Sequence, residues 1–173
     1  MKPIKNMFIV IAIILFVIAG YYCWPETALP EDTKVDLLVV YKSKRKLLAY
    51  ADGKLIKTYT ISLGSDPIGH KAYEGDMKTP EGIYTINAKN ANSGYHKNLG
   101  VSYPNDADRE AAAAIGKKPG GDIKIHGLRN GRDWIGKLHR WTDWTHGCMA
   151  VTDREMDELF DAVAMGTPIE IKP

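Results

Sequence analysis

The sequence predicts a mostly β domain of the α+β class with two short helices, preceded by one membrane-spanning helix. Three observations predict it. Short alternating runs rich in β-branched and aromatic residues recur from Val35 onward, separated by Gly, Asp and Pro turns. Only two later segments carry helix caps with an apolar face. Met7 to Trp24 contains no charged residue.

The N-terminal segment runs Phe8-Ile9-Val10-Ile11-Ala12-Ile13-Ile14-Leu15-Phe16-Val17-Ile18. At about 1.5 Å per helical residue, such a stretch covers roughly a bilayer core. Lys2 and Lys5 precede it, and acidic Glu26, Glu31 and Asp32 follow, which predicts an N-in, C-out orientation. A cleavable signal sequence is the competing reading. Ala19-Gly20-Tyr21-Tyr22 argues against it, because aromatics crowd the place where a cleavage site wants small residues. The same tyrosines argue against lipid attachment at Cys23. Residues 1–24 are therefore read as an anchor or signal sequence, 25–34 as a Pro- and acid-rich linker and 35–173 as one domain.

Within the domain, Val35 to Tyr41 is the first strand. Lys46 to Tyr50, the Asp52-Gly53 turn and Leu55 to Leu63 form a hairpin. Gly75 to Gly82 is turn-dense, and Ile83 to Asn87 alternates again. Asn105-Asp106 caps a helix from Ala107 to Ile115, with Gly116 suited to its C-terminal left-handed position. Asp122 to His126 is a strand that ends on a histidine. Thr152-Asp153-Arg154-Glu155 is a capping box for a helix whose apolar face is Met156, Leu159, Phe160 and Val163. Pro168 to Ile171 closes the chain as a strand.

The 173 residues include 23 basic and 21 acidic ones, a formal charge of +2, and the basic residues are scattered. That distribution argues against a nucleic-acid partner. Of the two cysteines, Cys23 lies at the membrane border. Cys148 lies in Thr145-His146-Gly147-Cys148, downstream of Ile123-Lys124-Ile125-His126-Gly127. A thiol with imidazoles in reach is a candidate covalent catalyst, because the thiolate attacks carbonyls and imidazole takes the thiol proton near neutral pH. His126, at a strand end, is the better base; His146 is a candidate orienting group. Gly147 belongs to a segment whose backbone N–H groups suit an oxyanion.

The bland alternative for Cys148 is a small buried hydrophobe. Zinc is a chemical rival, since His126, His139, His146 and Cys148 are ligand types it accepts, but the spacing is irregular and matches no zinc signature. No metal or other cofactor is expected. His139 reads as solvent- or substrate-facing, and His70 and His96 as surface residues. Trp134, Trp141 and Trp144 either pack the core or wall a cleft.

The His126-Gly127 and Thr145-His146-Gly147-Cys148 segments, with Gly75-Asp76-Met77-Lys78-Thr79-Pro80-Glu81-Gly82 and Leu99-Gly100-Val101-Ser102-Tyr103-Pro104-Asn105, resemble the L,D-transpeptidase catalytic domain (YkuD-like) family over about residues 35–172. The resemblance implies a β-sandwich-like domain of the cell envelope acting on peptidoglycan stem peptides. It implies Cys148 as nucleophile, His126 as base, the Gly127 carbonyl as its orienting group, and the Gly147 and Cys148 N–H groups as oxyanion hole. The implied donor is a tetrapeptide stem that loses D-alanine, and the acceptor an amine of another stem or of a wall-attached protein.

The chain departs from the family pattern after the cysteine, where Met149-Ala150 stands in place of an arginine. Arg129, Arg132, Arg140 or Lys124 could supply the missing contact, with Trp144 and Thr145 as further substrate-binding candidates. An L,D-carboxypeptidase or amidase using water is the first alternative. An inert wall-binding module and a structural zinc site are the others.

Overall fold

Alternation along the strands dictates two walls around one apolar core. The computed structural model describes residues 2–173; Met1, within the expected anchor, lies outside the described residues, as do the side chains of Lys2, Pro3 and Lys5. Helix α1 (Lys2–Cys23) is followed by strands β1 (Leu37–Tyr41), β2 (Lys46–Ala51), β3 (Lys54–Thr60), β4 (Gly82–Ser93) and β5 (His96–Val101). Helix α2 (Asp106–Ala114), β6 (Lys124–His126), a 3-10 segment (Asp133–Trp141), β7 (Met149–Ala150), α3 (Asp153–Ala162) and β8 (Pro168–Lys172) complete the chain. The mostly β, α+β expectation holds. The 3-10 segment was not expected: it has no side-chain cap at its start, and Gly136, with a φ of 47°, interrupts its helical backbone.

The strand order is β3-β2-β1-β8-β4-β5-β6-β7. β1 pairs antiparallel with β2 and parallel with β8, while β4 links the two halves: Gly82 to Thr85 pair with β8, and Ile86 to Ser93 pair with β5. A register shift between Ile86 and Ala88 marks the turn from one wall to the other. Past the end of β3, Ser62 bridges Ala150 of β7. The first and last members of the order thereby meet, and the sheet curls into a nearly closed shell. The Asp52-Gly53 turn has positive φ at both residues, 50° and 71°, the geometry a tight hairpin needs.

Leu38, Val40, Leu47, Tyr59, Ile61 and Leu63 from one wall meet Ile86, Leu99, Ile125 and Met149 from the other, and Met156 and Leu159 of α3 cover them. The capping box of α3 forms as expected, with Thr152 and Glu155 exchanging side-chain and backbone bonds. Helix α2 begins one residue earlier than expected, capped by Asn105 and Asp108. In α1, the window Asn6–Cys23 has a mean hydropathy of 2.3, and none of it is buried in the protein.

The turn-dense Gly75–Gly82 loop is tied by Asp76, whose carboxylate accepts from Lys71 Nζ at 2.7 Å and from the backbone N–H groups of Ala72, Tyr73 and Lys78. This places the Lys78 carbonyl against Gly147, where a Cβ would come within 2.5 Å of it. The loop therefore buttresses the cysteine turn from behind.

Candidate active site

Parallel pairing of β6 with β7 sets Ile125 opposite Met149 and His126 opposite Ala150. Extending that register by one residue puts Cys148 beside Lys124, on the same face as His126. Two residues along a strand and one strand across separate their Cα atoms by roughly 8 Å, which a cysteine and an imidazole on one face can bridge. Both line a cleft of about 240 Å³, together with Tyr95, Asn98, Lys124, Trp144 and His146.

His126 is buried, and its Nδ1–H donates to the Gly127 carbonyl at 2.7 Å. That bond fixes the tautomer and leaves Nε2 as the acceptor nitrogen. Tyr95 and Trp144 flank the ring, with centroids 4.8 and 5.7 Å away. Burial lowers the His126 pKa; the Gly127 carbonyl opposes the shift, and the Lys124 charge adds to it. Gly127 itself leaves no room for a side chain, since a Cβ would meet Asp153 Oδ1 at 2.6 Å and His96 Cβ at 2.9 Å.

The Cys148 thiol lies 3.6 Å from the Asp122 carbonyl, to which it donates. Burial raises its pKa, against which the Lys124 backbone N–H works in the opposite direction. The two directions agree: burial disfavours the charged form of both groups, the thiolate and the imidazolium alike.

Thr145 organises the cysteine turn. Its hydroxyl donates to the Cys148 carbonyl at 2.7 Å and accepts the Gly147 N–H at 3.1 Å. Two expectations differ from this geometry. The Gly147 N–H is engaged by Thr145 rather than directed at an oxyanion, and the Thr145 hydroxyl is engaged within the turn rather than free for substrate. Among the described residues the Cys148 N–H has no backbone partner, so it is free to donate into the cleft. His146 is exposed at the mouth of the cleft.

Arg129 and Arg132 do not line the cysteine cleft. They stand on the rim of an adjoining one of about 430 Å³, floored by Leu128, Ile135 and Leu138 and sharing Tyr95 and Trp144 with the first. Arg140 is buried between Glu26 and Glu155, 2.7 Å from each, and is held out of both clefts by those carboxylates. Lys124 is the basic residue in the cysteine cleft, with its Nζ 2.7 Å from Asp122.

His139 is in part a correction: it is buried rather than solvent-facing, though it lines the adjoining cleft. The 3-10 segment turns it inward, so that its Nδ1 lies 3.1 Å from the Ser62 hydroxyl, which also donates to the His139 carbonyl. Nothing in the local residue pattern signals this, because Ser62 comes from the far end of the sheet. His96 pairs with Asp157 at 2.7 Å, and His70 approaches Asp108 at 3.2 Å, so both join ion-pair networks. Tyr95 and Asn98 also escaped the sequence reading, whereas Lys124, a candidate substitute for the missing arginine, does line the cleft. Tyr95 sits in the β4–β5 hairpin turn, where no motif marks it. Among the described residues no three His, Cys, Asp or Glu side chains gather as a metal-ligand set.

Residues 35–171 match the family model of the L,D-transpeptidase catalytic domain, YkuD. YafK of Escherichia coli (strain K12), provisionally named an L,D-transpeptidase, is 31% identical over 130 residues, 72% of this chain and 45% of YafK. Pgp2, the helical cell shape determining protein of Campylobacter jejuni, superposes with a TM-score of 0.60 at 26% identity, covering 82% of this chain and 49% of Pgp2. An L,D-transpeptidase from Mycobacterium smegmatis shares the fold, with a TM-score of 0.53 at 16% identity over 79% of this chain and 58% of that one. The chain spans about half the length of the curated relatives it matches.

Proposed function

The chain belongs to the L,D-transpeptidase catalytic domain family, and from that premise we propose that it is a cysteine acyltransferase acting on peptidoglycan stem peptides. The observation that carries this reading is the shared cleft of Cys148 and His126, with the imidazole tautomer set by Gly127. His126 Nε2 takes the thiol proton as the Cys148 sulfur attacks the carbonyl before the terminal D-alanine of a tetrapeptide stem. The Cys148 N–H meets the oxyanion. Collapse breaks the C–N bond, His126 returns the proton to the departing D-alanine amine, and a thioester remains. An amine of a second stem or of a wall-attached protein then attacks the thioester, losing its proton through His126 as the thiol re-forms.

Lys124, beside the nucleophile, is placed to hold the stem's carboxylate in the absence of an arginine at position 150, where Ala150 is buried in the β6–β7 ladder. Arg129 and Arg132 would serve the adjoining cleft. Water is the alternative acceptor. The solvent-exposed mouth at His146 favours this second reading, in which the same thioester yields a trimmed stem.

The apolar, unburied span of α1 supports an anchored chain with its catalytic domain on the outer side of the membrane. The test is product analysis with a tetrapeptide stem and an amine acceptor. Wild-type protein should release D-alanine and form crosslinked or trimmed stems, and Cys148→Ala should form neither. Equal product from Cys148→Ala would overturn the reading.

A further inference from the structure

Helix α1 does not leave the domain freely; its last turn is fitted to the 3-10 segment. The Tyr22 hydroxyl donates to the Trp134 carbonyl at 2.7 Å, and the Tyr21 and Trp141 rings lie 6.3 Å apart. Lys137 Nζ donates to the Trp24 carbonyl, and Arg140 pairs with Glu26 at 2.7 Å. Gly136 makes the approach possible. It has a φ of 47°, and a Cβ there would come within 2.9 Å of the Tyr22 ring.

On the outside of this joint three indoles remain exposed: Trp24 at 73%, Trp134 at 68% and Trp141 at 58%. Such surface is costly in water, and Trp and Tyr concentrate at the level where a bilayer's hydrocarbon meets its headgroups. The membrane-length window of α1 ends at Cys23, so Tyr21, Tyr22 and Trp24 mark that level, and the contacts above bring Trp134 and Trp141 to the same depth.

We propose that the 3-10 segment is a membrane-docking surface: Trp134 and Trp141 insert among the lipid headgroups beside the end of α1, holding the catalytic cleft against the outer face of the bilayer. The occupant is lipid because the patch continues the apolar surface of α1, which is itself unburied. His139 lies on the same segment and Trp144 just beyond it, so the docked segment also walls the site. The substrate such a site meets is a stem or protein close to the membrane. The inference rests on reading α1 as an anchor.

The experiment reconstitutes the full chain into phosphatidylcholine–phosphatidylglycerol vesicles carrying a spin label either in the headgroup region or deep in the acyl chains. Flotation is measured first, then tryptophan quenching. The headgroup label should quench more than the deep label, and W134F/W141F should lose about two-thirds of that quenching, as two of three interfacial indoles are removed. A chain that floats with W134F/W141F quenched like wild type would assign all lipid contact to Trp24 and overturn the docking alone. Emission that responds to protein density in the vesicle and not to labelled lipid would identify a second copy as the occupant and also overturn it. A chain that does not float would remove the anchor itself, while the D-alanine release of the previous section would stand or fall separately.

Discussion

His126 Nδ1–H donates to the carbonyl of Gly127, the next residue in the chain, at 2.7 Å. The imidazole is therefore oriented by its own backbone neighbour rather than by a carboxylate. No negative charge stabilises the imidazolium from that side, and burial lowers the His126 pKa.

The pH dependence of acylation follows from these directions. His126 accepts a proton only when neutral, so single-turnover acylation should rise with pH, with a midpoint below the ordinary histidine value of about 6.5, and level off near neutrality. Alkylation of Cys148 by iodoacetamide should stay slow at neutral pH and increase only above the usual thiol range, because burial raises its pKa. Rapid alkylation of Cys148 at and below neutral pH would instead indicate a stabilised thiolate–imidazolium pair.

Gly127→Ala should damage catalysis more than folding. A Cβ at 2.6 Å from Asp153 Oδ1 and 2.9 Å from His96 Cβ forces the backbone to move, and the carbonyl that aims His126 moves with it. A misplacement of roughly 1 Å costs on the order of 100-fold in rate. Turnover measured beside circular dichroism of the same protein separates the two effects. Wild-type turnover in a folded G127A variant would refute the orienting role.

The buried His139 should make the domain acid-sensitive. Burial, aided by the Arg140 charge, depresses its folded-state pKa to about 3. Its contribution is thus fully present above the unfolded value of about 6.5 and is lost as pH falls toward 3, at up to about 1.4 kcal/mol per pH unit. Urea unfolding of the solubilised chain at a series of acidic pH values should show a shallower loss for His139→Gln than for wild type. Parallel slopes would contradict the assignment.

Asp76→Asn should destabilise the loop behind the cysteine turn. Although burial by itself would raise the Asp76 pKa, Lys71 and three backbone N–H groups outweigh it and lower it. Its stabilisation is present above the unfolded carboxylate pKa and disappears as pH falls through the folded one. Removing the charge leaves Lys71 buried without its partner, a loss of about 3–5 kcal/mol. The unfolding midpoint should fall sharply at neutral pH and converge on wild type in acid.

The cysteine and histidine that share the cleft and most strands were readable because each is written locally. Thr145 to Cys148 and Ile123 to Gly127 are contiguous motifs. The caps at Asn105 and Thr152 act within one helical turn, and the alternation of β1 and β2 directly encodes which face is buried. What escaped depends on distant partners. His139 is buried because Ser62 lies opposite it, and Arg140 because Glu26 and Glu155 converge on it from more than a hundred residues before and 15 after. Strand β5 was missed because Asn98 and Gly100 interrupt its apolar pattern. Thr145 is the exception among these: its partners are the nearby Gly147 N–H and Cys148 carbonyl, but its role depends on the folded geometry of the turn rather than on residue type.

The central claim is that Cys148 carries the acyl group, and intact-protein mass spectrometry of the full chain during turnover of a tetrapeptide stem tests it most directly. The account predicts a transient adduct on Cys148 that adds the mass of the stem less D-alanine, the thiol hydrogen having left with the D-alanine, and that is absent from Cys148→Ser at the thioester position. Folded, reduced protein that consumes the stem without any adduct on Cys148, or that never acts on it, would contradict the account.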